Sequence, residues 1–282
     1  MSRGTSFSGG MPESAPERAG LEKAIVQDKT SFLRMKEHPW LSIGSFVFIL
    51  LLWEAVSYLE WVPPLFLPAP SGILSEGWTM LKTGLIFKHV FTSLSRILSG
   101  FFIACILGIV VGILIGFFSI PEAIGNPFIA ATFPIPKIAI LPLLILWLGI
   151  GEASKVAVIV LGVFFPMVIN VYTGVKNVDP LLIKAAVSLG SNRTRIIKKV
   201  ILPSILPMIF AGMKLGIGIA LLLVVAAEMV AADAGIGFMI LTAADLMQTK
   251  KLMVGLVLLS LLGIFFNWLF RRLERVAIPW KE

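Results

Sequence analysis

Residues 184–203 read KAAVSLGSNRTRIIKKVILP, a polar break with five basic side chains between long apolar runs. Asp179-Pro180 ahead of it is a helix start, an acceptor at the cap followed by a residue whose missing N–H costs nothing at the first position. Gly190 is a helix stop, since glycine tolerates the left-handed backbone. Between them Leu182, Ala185, Ala186 and Leu189 recur at helical spacing and share a face. Ser191 is then expected to cap a second, basic helix carrying Arg193, Arg195, Lys198 and Lys199, which Pro203 ends. Two readings of this helix, turn and basic helix stay open. It rests on anionic headgroups, or its small Ala-Ala face docks into the groove of a partner.

What surrounds the break is membrane. Of 282 residues 57% are hydrophobic and 14% charged, more apolar surface than one water-soluble core can hide. Six runs are long enough to cross at about 20 residues per span: 41–60, 90–118, 127–149, 154–173, 205–232 and 253–271. Residues 1–38, rich in Ser, Gly, Pro, Glu and Lys, are expected to form a tail without a fold of its own. The first apolar run begins near Leu41 and is too long for the apolar region of a cleaved signal, so it is expected to stay as an anchor.

Basic residues orient the spans. Six lie before residue 40 (Arg3, Arg18, Lys23, Lys29, Arg34, Lys36), six in the 174–204 connection (Lys176, Lys184, Arg193, Arg195, Lys198, Lys199) and four from 271 onward (Arg271, Arg272, Arg275, Lys281). Five stand at the opposite ends of the spans: Lys82, Lys88, Lys155, Lys250 and Lys251. The excess predicts that both termini and the 184–203 break are cytoplasmic. In a membrane chain it also accounts for the formal charge of +8 without nucleic acid. A single Cys, Cys105, and two separated histidines, His38 and His89, offer no metal-ligand cluster.

Within the spans, Gly100, Ala104, Gly108, Gly112 and Gly116 repeat every fourth residue and predict a face for close helix packing, with a shorter version at Gly212, Gly216 and Ala220. Pro134, Pro136, Pro142 and Pro166 remove backbone donors and predict breaks or kinks, whether beside a pathway or as plain packing irregularity. Glu54, Lys214 and Glu228 are the candidate intramembrane ions. Lys214 suits snorkelling from the inner end of its helix. Glu228 either lines a cavity or reaches the outer interface.

The loop and its surroundings resemble a family. Permease subunits of bacterial ABC importers carry Glu-Ala-Ala, three residues, Gly, nine residues, Ile, one residue, Leu-Pro. This chain has Lys184-Ala185-Ala186, Gly190, Val200 and Leu202-Pro203 at the same spacing, with Lys for Glu and Val for Ile. FLPAPS at 66–71, ILPLLILWLGIGEASK, GVFFPMVIN, VAAEM and IPW at 278–280 extend the likeness to the nitrate, sulfonate, taurine and bicarbonate branch. The resemblance implies an all-α polytopic chain of about six transmembrane helices with the type I importer permease fold, in a bacterial inner membrane. It implies a homodimer with a second permease copy, two cytoplasmic ATPase subunits, an extracytoplasmic substrate-binding protein and surrounding lipid.

By that likeness Lys184, Ala185, Ala186, Leu189, Gly190, Ser191, Leu202 and Pro203 couple to the ATPase, and Glu228, Asn170, Trp147 and Pro136 are the expected pathway residues. The solute expected is a small anion such as a sulfonate, taurine or nitrate, although related importers also carry a pyrimidine or a flavin. The chain contains no GxxxxGK[ST] phosphate loop, so no cofactor is expected on it and ATP belongs to a partner. A secondary transporter is the alternative, but it should show internal repeats. A membrane enzyme would need a cluster of nucleophile, base or metal ligands that the scattered acids do not form.

Overall fold

A computed structural model of the chain describes residues 39–279. The first helix, α1 (Pro39–Tyr58), is apolar along its length. Of the described residues, those up to Trp53 belong to one unit and those from Glu54 to a second, and the rest of the fold lies in the second. The expected 1–38 tail and Trp280 of the IPW motif fall outside the described residues.

The second unit is built on α3 (Leu85–Phe117) and α6 (Glu152–Lys176). The glycine repeat is what joins them. A Cβ at Gly100 would stand 2.6 Å from Ile159, at Gly108 2.7 Å from Met167, at Gly112 2.7 Å from Val171 and at Gly116 2.6 Å from Val175. No carbon fits at such distances, so these four positions must lack a side chain, and Ala104 between them carry only a methyl, for the two backbones to meet. The third long helix, α9 (Leu202–Ala231), packs on the other side of α6, where Gly212 faces Met167 and Asn170 and Gly216 faces Val163. Ile97, Phe101, Val158, Val163, Met167, Ile205, Ala220 and Val224, from all three helices, form the buried centre. The last helix, α11 (Thr249–Ala277), adds Phe266 and Phe270 to it.

Among the described residues four helical segments are long and apolar enough to cross a bilayer: α3, α6, Arg193–Ala231 and α11. A fifth arises if Ser119–Thr132 and Lys137–Leu148 count as one bent span, and the apolar part of α1, Ile43–Tyr58, is shorter than these. The expected run at 127–149 is therefore not one straight helix. It is α4 (Ser119–Thr132), a break, a 3₁₀ turn (Lys137–Ile140) and α5 (Leu141–Leu148), and the two halves meet at 87°. Pro134 and Pro136 sit in the break and cannot donate to the carbonyls one turn back, which is why the helix stops there.

Two short helices were not expected as separate elements. Between α1 and α3 lies α2 (Pro70–Lys82), whose first-turn Ser71 donates its backbone N–H (3.0 Å) and its hydroxyl (2.6 Å) to Glu54. Glu54 thus holds a helix N-terminus, where the free N–H groups and the helix dipole favour an anion. Between α9 and α11 lies α10 (Ile236–Asp245), too short to span.

Candidate functional site

The 180–203 segment folds largely as its residues demand. Asp179 accepts from the N–H of Leu181 at 2.8 Å and starts α7 (Pro180–Ser188). The helix closes with two bonds, Gly190 N–H to the Val187 carbonyl (2.9 Å) and Ser191 N–H to the Ala186 carbonyl (3.0 Å), with Gly190 at φ 71°. That pair is the Schellman closure, which requires the left-handed residue. Ser191 completes this closure and is not the next cap. Asn192 is, accepting from Arg195 N–H at 2.9 Å and opening α8 (Arg193–Ile196). Nor does Pro203 end the basic helix. The chain widens into a π turn at Ile197–Ile201 and passes into α9 with Pro203 in its first turn. The wide turn just before a residue with no N–H to give lets helical rotation continue from Arg193 to Ala231.

The faces of α7 divide differently from the spacing argument. Ile183 and Ala186 turn inward against the core, and Ile196 and Ile201 hold the following segment down. Leu181, Leu182, Val187 and Leu189 are exposed, Leu189 at 84%, beside exposed Lys184, Ala185, Arg193, Arg195, Lys198 and Lys199. Leu202 stays at the margin and Pro203 is half-buried. This end of the molecule therefore presents an apolar patch framed by cations.

At the opposite end of α9 the charges turn inward. Glu228 is fully buried within the chain, with no exposed surface of its own. Its carboxylate accepts from Ser93 Oγ (2.7 Å), Arg96 Nη1 (2.8 Å) and the backbone N–H of Gly237 (2.8 Å). Arg96, also buried, donates through Nε and Nη2 to the two oxygens of Glu152, each at 2.6 Å, and through Nη1 to the Ala234 carbonyl at 2.6 Å. Lys155 lies 3.5 Å from Glu152. Two cations and two carboxylates so form a neutral set, three of them buried and Glu152 exposed at its rim, and pairing is how the buried charges are tolerated away from water.

The set has one evident product, the position of α10. Gly235 N–H donates to His89 Nδ1 (3.1 Å), Ile236 N–H to Ser93 Oγ (2.8 Å) and Gly237 N–H to Glu228. Every one of the first N–H groups of a helix that lacks an internal acceptor must find one, and here α3 and α9 supply them. Gly235, at φ 126°, has no room for a Cβ, which would stand 2.3 Å from the Glu228 carboxyl carbon. Uncharged α3 from Ile97 to Phe117 covers about 31 Å, close to the ~30 Å hydrocarbon depth, which places Arg96 at the edge of the apolar layer. His89, Ser93, Arg96 and Glu152 escaped the sequence reading, because their partners lie 56 to 146 residues away. The one visible hint was charge next to apolar runs.

The remaining expected pathway residues do not meet. Asn170 is half-buried and donates to the Pro166 carbonyl one turn back (2.8 Å), while Trp147 is exposed on α5 and Pro136 exposed in the break. Lys214, in the first half of α9, is ion-paired with Glu274 of α11, so it does more than snorkel. Lys137, also absent from the expected ions, sits at the break between α4 and α5.

Comparison with known proteins agrees with this architecture. Residues 104–277 match the model of the binding-protein-dependent transport system inner membrane component family. The chain belongs to that family. It is 36% identical over 245 residues to the taurine transport system permease protein TauC of Escherichia coli K12, covering 85% of this chain and 89% of that one. It is 35% identical to the putative aliphatic sulfonates transport permease protein SsuC of Bacillus subtilis 168 (83% and 85%) and 32% identical to the riboflavin transport system permease protein RibX of Chloroflexus aurantiacus (88% and 93%). A chain of the MetNI methionine ABC transporter, solved in inward-facing conformations, shares the fold at a TM-score of 0.56, covering 68% of this chain and 95% of that one at 21% identity. The protein is thus a multi-pass inner-membrane permease subunit of an ATP-driven importer, not an enzyme and not a gradient-driven carrier. Hydrolysis of ATP falls to a partner ATPase, and delivery of the solute to a binding protein.

Proposed function

We propose that the chain forms, as a homodimer within lipid, the translocation pathway for a small sulfonate. In this reading α7 seats in a groove of each ATPase subunit, and both termini face the cytoplasm with it. The observation that carries the docking is the exposed Leu181, Leu182, Val187 and Leu189 patch beside the basic turn at 193–199. An apolar patch on a soluble loop has no reason to stay uncovered, and its cationic frame favours an acidic rim on the partner. The headgroup alternative is weaker, because α7 buries its Ile183 and Ala186 side inward and offers its apolar residues away from the core. Closure of the ATPase pair on nucleotide would then swing α7 as a rigid body and switch the pathway.

The sulfonate assignment rests on the likeness to TauC and SsuC over most of both chains. At the other end, Pro64, Leu65, Glu76 and Met247–Lys251 line an open groove of about 520 Å³, which would receive the binding protein. Uptake into proteoliposomes holding the permease, its ATPase and its binding protein tests the reading, with taurine, ethanesulfonate, nitrate and riboflavin supplied in turn. Uptake of the sulfonates is expected. Uptake of riboflavin alone would replace the sulfonate with a neutral solute.

A further inference from the structure

We propose that Lys137 forms a mid-membrane site for the anionic group of the transported solute, an inference that rests on the sulfonate reading above. Its depth follows from its neighbour. The Lys137 ammonium lies 4.4 Å from the ring centre of Phe165, the fourteenth of the 25 residues of α6. Half-way along a spanning helix is near the middle of the bilayer.

Lys137 differs there from Arg96, Lys155 and Lys214, other cations within the apolar runs. Arg96 and Lys155 are paired with Glu152, Arg96 also with Glu228, and Lys214 with Glu274. Among the described residues Lys137 has no carboxylate partner. Its Nζ donates to the carbonyls of Thr132 (2.7 Å), Ile135 (2.9 Å) and Phe133 (3.2 Å). These are the carbonyls at the broken end of α4. That of Thr132 would pair in a continuous helix with residue 136, a proline without an N–H. Carbonyl dipoles and a ring fix the ammonium in place but do not cancel its charge.

The surroundings make lipid an unsuitable neighbour. Phe133, Pro134, Ile135, Pro136, Ile138 and Ala139 are exposed around the break, and Lys137 itself is only half-buried. A lone cation at mid-depth on an open face is tolerated where water or protein covers it, and irregular backbone at that depth likewise belongs against a cavity. Broken helices meeting at 87° with an unneutralised cation at the break supply what a passing sulfonate needs: a fixed positive charge in a place of low dielectric. The three carbonyls keep the site from becoming a trap, because they already take the three N–H groups of the ammonium, so the anion is held by charge alone and can leave.

The test uses the complete reconstituted importer with ethanesulfonate, which carries one negative charge. Lys137→Gln is expected to lower the maximal uptake rate at least ten-fold, with little change in the concentration of loaded binding protein giving half-maximal rate. Lys137→Arg, which keeps the charge, is expected to retain a third or more of the wild-type rate. In a Cys105→Ala background, Lys137→Cys should be inactive until an aminoethyl thiosulfonate restores an ammonium at that position, and a neutral methyl thiosulfonate should not rescue it. A Lys137→Gln importer that assembles with its ATPase and transports within two-fold of wild type overturns the site alone. So does failure of both neutral variants to assemble with normal assembly of Lys137→Arg, which would make the ammonium a helix cap only. A wild-type importer that carries riboflavin and no sulfonate overturns the sulfonate reading, and the anion site with it.

Discussion

The two ends of α9 treat charge in opposite ways. Before its first turn, Arg193, Arg195, Lys198 and Lys199 point outward beside the uncovered leucines of α7. In its last turns Glu228 is sealed beside buried Arg96 and Lys155, with Glu152 exposed on their rim, and its hydrogen bonds are all made within the chain. An end whose polar groups are satisfied internally supports the fold and has little left for a partner. An end that leaves apolar area and cations unsatisfied gains stability only when something binds. The same helix thus carries a structural terminus and an interaction terminus, and substitutions at the two should separate stability from partnership.

The largest effect should come from the sealed end. Glu228→Ala leaves Arg96 buried with one carboxylate fewer and releases Gly237 N–H, a loss of about 3–5 kcal/mol. Thermal unfolding of the detergent-purified chain should show it, whereas Glu228→Ala with an unchanged midpoint would mean that the network is not what holds α10. Gly235→Ala comes next, at roughly 2–3 kcal/mol, because an unfavourable backbone region and overlap with the Glu228 carboxylate act together. Proteolysis of the 232–248 region should quicken in that variant.

At the open end the order of effects reverses. Leu189→Glu should change stability by less than about 0.5 kcal/mol, since the side chain is exposed, yet weaken recovery of the ATPase subunit by roughly 2 kcal/mol, about thirty-fold. Gly190→Val should do the same while also straining the Schellman closure by about 1–2 kcal/mol. Pull-down of the ATPase with the purified variants checks both, and full recovery would return α7 to a surface helix on headgroups. The smallest effect is expected at a pair of neither kind. Lys176→Ala removes a half-exposed partner of Glu122 at 2.6 Å and should cost only about 0.2–1 kcal/mol.

Local rules explain why the 180–203 segment was legible and where it was not. Asp179, Pro180 and Gly190 act through backbone groups within a few residues, so their spacing carried the geometry. The choice between Ser191 and Asn192 as cap, and the passage of the helix through Pro203, depended on a π turn that no single residue announces. The face of α7 was mis-assigned at Ala186 for a similar reason: helical spacing gives a stripe, while which side of it meets the core depends on Ile196, Ile201 and the helices behind them.

By itself the sequence determined the membrane class, the positions of the long apolar helices to within several residues, the glycine stripe that brings α3 against α6, and the family through the Ala185-Ala186 to Pro203 pattern. Those are properties of composition, of helical period and of contacts a few residues apart. Only the tertiary structure decided that 127–149 folds back on itself at 87°, that Glu228 is buried and anchors α10, and that Lys137 is left without a counter-ion among the described residues. Each of these depends on which charges meet across more than fifty residues of chain or on what covers a broken helix end. In a low-dielectric interior such long-range pairing, and not the identity of the residue, determines whether a charge is structural or free to act.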